Sequence, residues 1–119
     1  MTRRDLQRGM KERRGPWTIA KDFAYSAPVG PITLGPPPER GAITLAVDGE
    51  VRQRGDISLM MWNPEALVAR VNALCPLRAG DLIFTGTPSG VGAVAVGQRM
   101  QARIEGLEAL TVHVSEPRT

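Results

Sequence analysis

The run "AITLAV", followed by Asp48-Gly49 and then "EVRQ", constrains this chain more than any other stretch. Asp-Gly between two such segments is a hairpin signal, because the tight turn that matches strand twist needs positive φ at both central positions. Residues 42–53 are therefore expected to form a β-hairpin. A second antiparallel pair is expected near the end of the chain. There Met100, Ala102 and Ile104 alternate on one arm, Leu110, Val112 and Val114 alternate on the other, and Gly106 lies between them. Strands outnumber helices and no βαβ alternation is present, so the expected class is α+β with a mixed or antiparallel sheet.

The helical signals are fewer. Asn63-Pro64-Glu65 supplies an N-cap and an N1 proline. Leu67, Val68, Val71 and Leu74 then form an apolar stripe that ends before Pro76, predicting one helix of about eleven residues. Thr2 with Asp5 resembles a capping box, and Gly15-Pro16 is a stop, which predicts a helix over 3–14 that Gly9 weakens by about 1 kcal/mol. "WTIAKDF" from Trp17 to Phe23 reads as a half-buried strand containing Lys21, and "LIFT" as a strand that runs into the loop "GTPSGVG". "LGPPPERG" is a proline-rich connector.

Length and charge bound the functions available. A chain of 119 residues makes one modest domain, and no segment approaches the ~20 apolar residues of a membrane helix. The charged start "MTRRDLQRGMKERR" is followed by no apolar run, so neither a secretory signal nor a membrane partner is expected. Cys75 is the single cysteine, which excludes an internal disulfide and fits a reducing cytoplasm. It ends the apolar helix and is expected to be buried or half-buried. The net charge of +3 comes largely from Arg3, Arg4, Arg8, Lys11, Arg13 and Arg14. That cluster suits a solvated helix face, a small-anion site or a nucleic acid, but it lacks the interleaved aromatics of single-strand binders.

Two phosphate motifs are excluded at "DLIFTGTPSGVG". The spacing from Gly86 is wrong for a P-loop and no lysine follows. Gly90-x-Gly92-x-x-Ala95 matches a dinucleotide fingerprint by letter, but it opens an alternating run rather than a helix. What remains is either an ordinary turn or a loop where a small polar substrate reaches backbone N–H groups beside Gly86 and a hydroxyl of Thr85 or Thr87. Lys21 is either a snorkelling lysine or an active cation, and Arg4 with Gln7 either a solvated pair or a ligand for a carboxylate and keto oxygen. His113 alternates away from Val112 and Val114 and is expected at the surface. The acidic residues form no local metal motif.

Taken in order, "MTRRDLQ", "GPWTIAKDFAYSAPVGP", "VDGEVRQRGD" and "DLIFTGTPSGVGAV" resemble the C-terminal half of the fumarylacetoacetate hydrolase family. Within it they look most like the fumarylpyruvate hydrolase and acylpyruvase types. The resemblance implies a mixed β-sheet roll, a homodimer, and a Mg²⁺ or Mn²⁺ ion that assists C–C cleavage of a 2,4-diketo acid to pyruvate and an acid. It also admits isomerase, hydratase or oxaloacetate decarboxylase activity. Position by position, Arg4 and Gln7 match the family's substrate-facing pair. Lys21 matches the lysine facing the developing enolate, and Thr87 the threonine that holds the carboxylate of a 2-oxo acid. The metal ligands of the family, a Glu-x-Glu pair and an aspartate, precede the position of Met1. The expectation is thus a single domain over 1–119, incomplete at its N-terminal side, carrying no metal ligand of its own and either inactive alone or surviving as an association remnant. Asp22 and Ala24 replace the family's usual glycine and aspartate, and Gln98 a common aspartate.

Overall fold

The computed structural model describes residues 1–116. Two short helices come first, α1 (Arg4–Glu12) and α2 (Thr18–Lys21). They are followed by strands β1 (Ala42–Val47) and β2 (Glu50–Asp56), helix α3 (Pro64–Leu74), and strands β3 (Arg99–Ile104) and β4 (Leu110–His113). The class is α+β. The strands form one sheet in the order β2-β1-β3-β4, with all three pairings antiparallel.

The hairpin forms where the alternation and turn chemistry require it. Asp48 and Gly49 have φ of 51° and 88°, and Val47 pairs with Glu50 across the turn. The second pair aligns Met100 with Val112 and Ala102 with Leu110. Because directly opposed residues share a face, Ile43, Leu45 and Val47 of β1 line up with Ile104, Ala102 and Met100 of β3. One face of the sheet is thereby apolar. Thr44, Gln101, Arg103 and Thr111 lie on the other.

One irregularity breaks the hairpin's simple register. Ala46 pairs with Val51 but Leu45 pairs with Gln53, so Arg52 is an extra residue in β2. Such a bulge reverses which face the following residues occupy. Beyond it, Gln53 and Gly55 lie opposite Leu45 and Ile43, on the apolar face.

Asp48 fastens the hairpin turn to the start of β3. Its carboxylate accepts from the Arg99 amide at 2.8 Å and from Gln98 Nε2 at 2.9 Å, while Gln98 Oε1 accepts from the Ala95 amide at 2.8 Å. An aspartate at 98 would have had no hydrogen to donate to Asp48, so the amide suits this clip where a second carboxylate would repel. Asp56 similarly accepts from Ser58 Oγ and from the amides of Ser58 and Gly41 at the end of β2.

Four expectations are corrected. Trp17–Phe23 is not a strand: Thr18–Lys21 form a helical turn, because Ala20 fits with no exposed surface beneath α1 and its carbonyl accepts from the Arg3 amide at 3.0 Å. That tertiary bond overrides the β-branched residues Thr18 and Ile19. Residues 82–85 form no strand, since no neighbouring strand pairs with them among the described residues, and Leu82 and Phe84 are exposed. Thr2 and Asp5 make no capping box. The N-cap is Arg3 without a side-chain bond, and Thr2 Oγ1 instead accepts from Lys21 Nζ. Cys75 is exposed at the end of α3, whose apolar stripe buries no residue.

The apolar core is correspondingly thin. Among the described residues the buried apolar side chains are Ala20, Val47 and Met100, while Met61 and Leu74 are 97% and 86% exposed. Met100→Ala is expected to destabilise the chain by about 2 kcal/mol in urea unfolding, and Leu74→Ala by no more than about 0.5 kcal/mol.

Hydrogen bonds hold the pKa values of Asp48 and Asp56 below the ordinary carboxylate value. For Asp48 the Arg99 amide is the largest cause, and for Asp56 the Ser58 hydroxyl. A depressed carboxylate stabilises the fold above its unfolded pKa, and that contribution disappears as the pH falls through the folded value. Melting temperature is therefore expected to fall as the pH drops from 6 to 3, crossing the carboxylate range near pH ~4. The double variant Asp48→Asn with Asp56→Asn is expected to show a flatter profile.

Candidate active site

Three of the four residues matched to the family's site lie at one corner. Gln7 is the buried residue of α1, and Arg4, one turn earlier, donates from Nη1 to Gln7 Oε1 at 3.0 Å. The i, i+3 spacing puts both on one helix face. Lys21 ends α2, which packs on α1 through the Arg3–Ala20 backbone bond, and its ammonium donates to Thr2 Oγ1 at 2.8 Å. An open hollow of about 590 Å³ lies beside it, lined by Gly15, Pro16, Trp17, Thr18, Lys21 and Asp22.

The electrostatics of this corner favour an anion. The α-amino group of Met1 donates to the Ser26 carbonyl, and its pKa is lowered first by partial burial and then by the neighbouring Lys21 charge. Arg3 lies over the Phe23 ring at 4.4 Å and Lys11 over Trp17 at 5.0 Å, so both cations are held against the helices by aromatic faces. Among the described residues the one ion pair is Arg52 with Glu50, away from this corner. Among the described residues, the charges of Arg4 and Lys21 have no carboxylate partner.

Thr87 is held separately. Gln53, 7% exposed, donates from Nε2 to Thr87 Oγ1 at 2.8 Å and to the Pro88 carbonyl at 2.6 Å. The Pro88 ring lies on Gly55, where a Cβ would come within 3.1 Å of it. Gly90 crosses the bulge so closely that a Cβ there would stand 2.2 Å from the Arg52 carbonyl oxygen. Its φ of 100° is also one that a side chain rarely adopts. No hydrogen bond or ion pair joins Thr87 to Arg4, Gln7 or Lys21 among the described residues. Gly86, with φ of 105°, has open space where its Cβ would be. Protein backbone makes its close approach at Gly90, while the surface beside Gly86 and Thr87 stays accessible.

No local pattern in the sequence singles out Gln53. A polar residue in an otherwise useful strand is ordinary, and only the bulge makes it a buried amide facing the loop. His113 is exposed, as its alternation predicts. Among the described residues no three His, Cys, Asp or Glu side chains gather where they could hold a metal ion. No helix among them is long and apolar enough to cross a membrane.

The fold is an α+β domain with an antiparallel sheet, a basic two-helix corner and a pinned Thr-Gly-Thr-Pro loop. The particular family follows from sequence: residues 1–115 match the model described as Fumarylacetoacetate (FAA) hydrolase C-terminal, and the chain belongs to the fumarylacetoacetate hydrolase family. It is 39% identical over 120 residues to the mitochondrial oxaloacetate tautomerase FAHD1 of Homo sapiens, covering 98% of this chain and 54% of that protein. It is 37% identical over 116 residues to fumarylpyruvate hydrolase of Ralstonia sp, covering 96% and 60%. Among solved structures it is similar to the fumarylpyruvate hydrolase from Pseudomonas aeruginosa in complex with Mn²⁺ and pyruvate. The TM-score is 0.90 at 50% identity, over 97% of this chain and 51% of that one. The chain spans little more than half the length of the relatives it matches. These relatives are enzymes.

Proposed function

We propose that this chain carries the 2-oxo-acid half of an active site that cleaves a C–C bond in a 2,4-diketo acid such as fumarylpyruvate or another acylpyruvate. The observation that carries the reading is the α1–α2 corner, where Arg4, Gln7 and Lys21 present two cations without a carboxylate partner among the described residues, and an amide, within one helical turn of each other or across one backbone bond. The solved relative bound to Mn²⁺ and pyruvate supports it, because pyruvate is the fragment such a half-site would hold.

On this reading Arg4 and Gln7 bind substrate oxygens and Thr87 holds the carboxylate by its hydroxyl. Water adds to the 4-keto carbon, the bond between C3 and C4 breaks, and its electron pair passes into the pyruvate enolate. The Lys21 ammonium stabilises that developing negative charge, which binds it more tightly in the transition state than in the ground state. Protonation of the enolate carbon then gives pyruvate, while the acyl carbon leaves as an acid.

A divalent ion, Mg²⁺ or Mn²⁺, would supply Lewis-acid stabilisation of the same enolate. The described residues do not fit such a centre, since they gather no donor set for it, and no step above is routed through it. The reading therefore includes a site completed by residues outside this chain or by a second copy in a homodimer. The likeness to an oxaloacetate tautomerase favours one alternative, keto–enol interconversion, which passes through the enolate of an intact 2-oxo acid and would use Lys21 in the same way.

Alone, the 119-residue chain is expected to show no tight stoichiometric Mn²⁺ binding in calorimetry and no turnover of fumarylpyruvate. Fused to the segment of a relative that aligns before Met1, with Mg²⁺ present, it is expected to consume fumarylpyruvate or acetylpyruvate. Lys21→Met in that fusion is expected to lower kcat by ~100-fold or more, the scale of losing one preorganised electrostatic donor. A fusion that folds but turns over neither these substrates nor oxaloacetate would leave the association-remnant reading.

A further inference from the structure

We propose that Gln53 is a positioning residue for Thr87. Its buried carboxamide occupies the acceptor side of the Thr87 hydroxyl and so directs the hydroxyl hydrogen outward, as a donor to one oxygen of a small carboxylate. This inference rests on the reading of Thr87 as a carboxylate-holding residue and adds to it the group that makes Thr87 a donor.

The geometry begins at Pro88. A backbone carbonyl can only accept, so the Gln53 atom 2.6 Å from it is the amide nitrogen rather than the amide oxygen. This fixes which way the carboxamide is turned. The same nitrogen has a second hydrogen, and Thr87 Oγ1 lies 2.8 Å away to receive it. The hydroxyl oxygen thus accepts from Gln53, and its own hydrogen cannot point back along that bond. Thr87 donates to no protein acceptor among the described residues and is exposed, so the hydrogen is free for a ligand.

Burial explains why a glutamine holds this place. Gln53 lies on the sheet's apolar face opposite Leu45, where an unbonded carboxamide would be costly. Both of its N–H groups are used on the loop. The loop returns the constraint, with Pro88 on Gly55 and Gly90 over the Arg52 carbonyl. A glutamate here would keep the volume but offer only acceptors. It would repel the Pro88 carbonyl, draw the Thr87 hydrogen inward and repel an incoming carboxylate.

The test is titration of the 119-residue chain with sodium pyruvate, followed by NMR at the amides of Thr87, Ser89 and Gly90. Saturable shifts are expected in the native chain and in Thr87→Ser. Gln53→Glu is expected to weaken pyruvate at least about tenfold, as is Thr87→Val. Gln53→Met is expected to weaken pyruvate although it brings no charge, which a purely coulombic effect of the glutamate would not produce. The double variant Gln53→Met with Thr87→Val is expected to bind no more weakly than Thr87→Val alone, which a purely structural role of Gln53 would not produce. Native-like affinity in Gln53→Glu overturns the positioning role and leaves the carboxylate reading standing. Native-like affinity in Thr87→Val, or a native chain that does not respond at Thr87, overturns both. Should Gln53→Met lose the dispersed amide shifts of β1 and β2, Gln53→Glu and the single Thr87 variants decide the matter.

Discussion

The loop that carries Thr87 depends on one extra residue in β2. Without the bulge at Arg52, the turn at Asp48-Gly49 would carry its register straight down the hairpin, opposing Leu45 with Arg52 and Thr44 with Gln53. Gln53 would then lie on the polar face with Thr44, and a charged guanidinium would sit among Leu45 and Ala102. With the bulge, Leu45 meets Gln53 and Ile43 meets Gly55. The amide and the glycine so placed are the two features the loop needs, one to bond Thr87 and Pro88, the other to admit the Pro88 ring. The bulge also exposes the Arg52 carbonyl to Gly90. Register and loop geometry are one constraint seen from two sides.

The helical corner is held by a different device. A four-residue helix has too few internal bonds to persist alone, and α2 survives because Ala20 fits closely against α1 and receives the Arg3 amide. That contact fixes where Lys21 leaves the helix. The hydroxyl of Thr2, which could have capped α1, accepts from the Lys21 ammonium instead. One local stabilisation of α1 is forgone, and a lysine is aimed. Asp5 in the first turn and Lys11 in the last still complement the helix dipole, so α1 keeps part of its support.

What was legible in the sequence follows from the range of the interactions involved. The hairpin and the β3–β4 pair were legible because alternation and the Asp-Gly turn act within a few residues. Helix α3 was legible for the same reason, since Asn63 accepts from the Ala66 amide and Pro64 needs no donor. Trp17–Phe23 has the local pattern of a strand, and its helical turn rests on a bond to residue 3 that no local pattern encodes. Residues 82–85 have strand-like composition but no pairing strand among the described residues, and composition cannot supply a partner. The candidate site residues Arg4, Gln7, Lys21 and Thr87 follow from resemblance, whereas Gln53 needs the bulge, whose one-residue parity change is invisible in an alternating run.

These two devices explain how site geometry coexists with so thin a core. Leu34, Met61 and Leu74 gain nothing from burial here, and apolar packing at the helical corner and the loop is limited to small contacts such as Ala20 against α1 and Pro88 on Gly55. The direction of the site residues is set by short polar contacts that span few elements: Gln53 to Thr87 and Pro88, Lys21 to Thr2, Arg4 to Gln7. Polar contacts of this kind fix direction more than they add stability. Global stability in this chain should therefore be set by the sheet around Val47 and Met100, while the aim of each site residue is set locally. A change in one need not alter the other, which is the property a half-site requires if its remaining walls come from elsewhere.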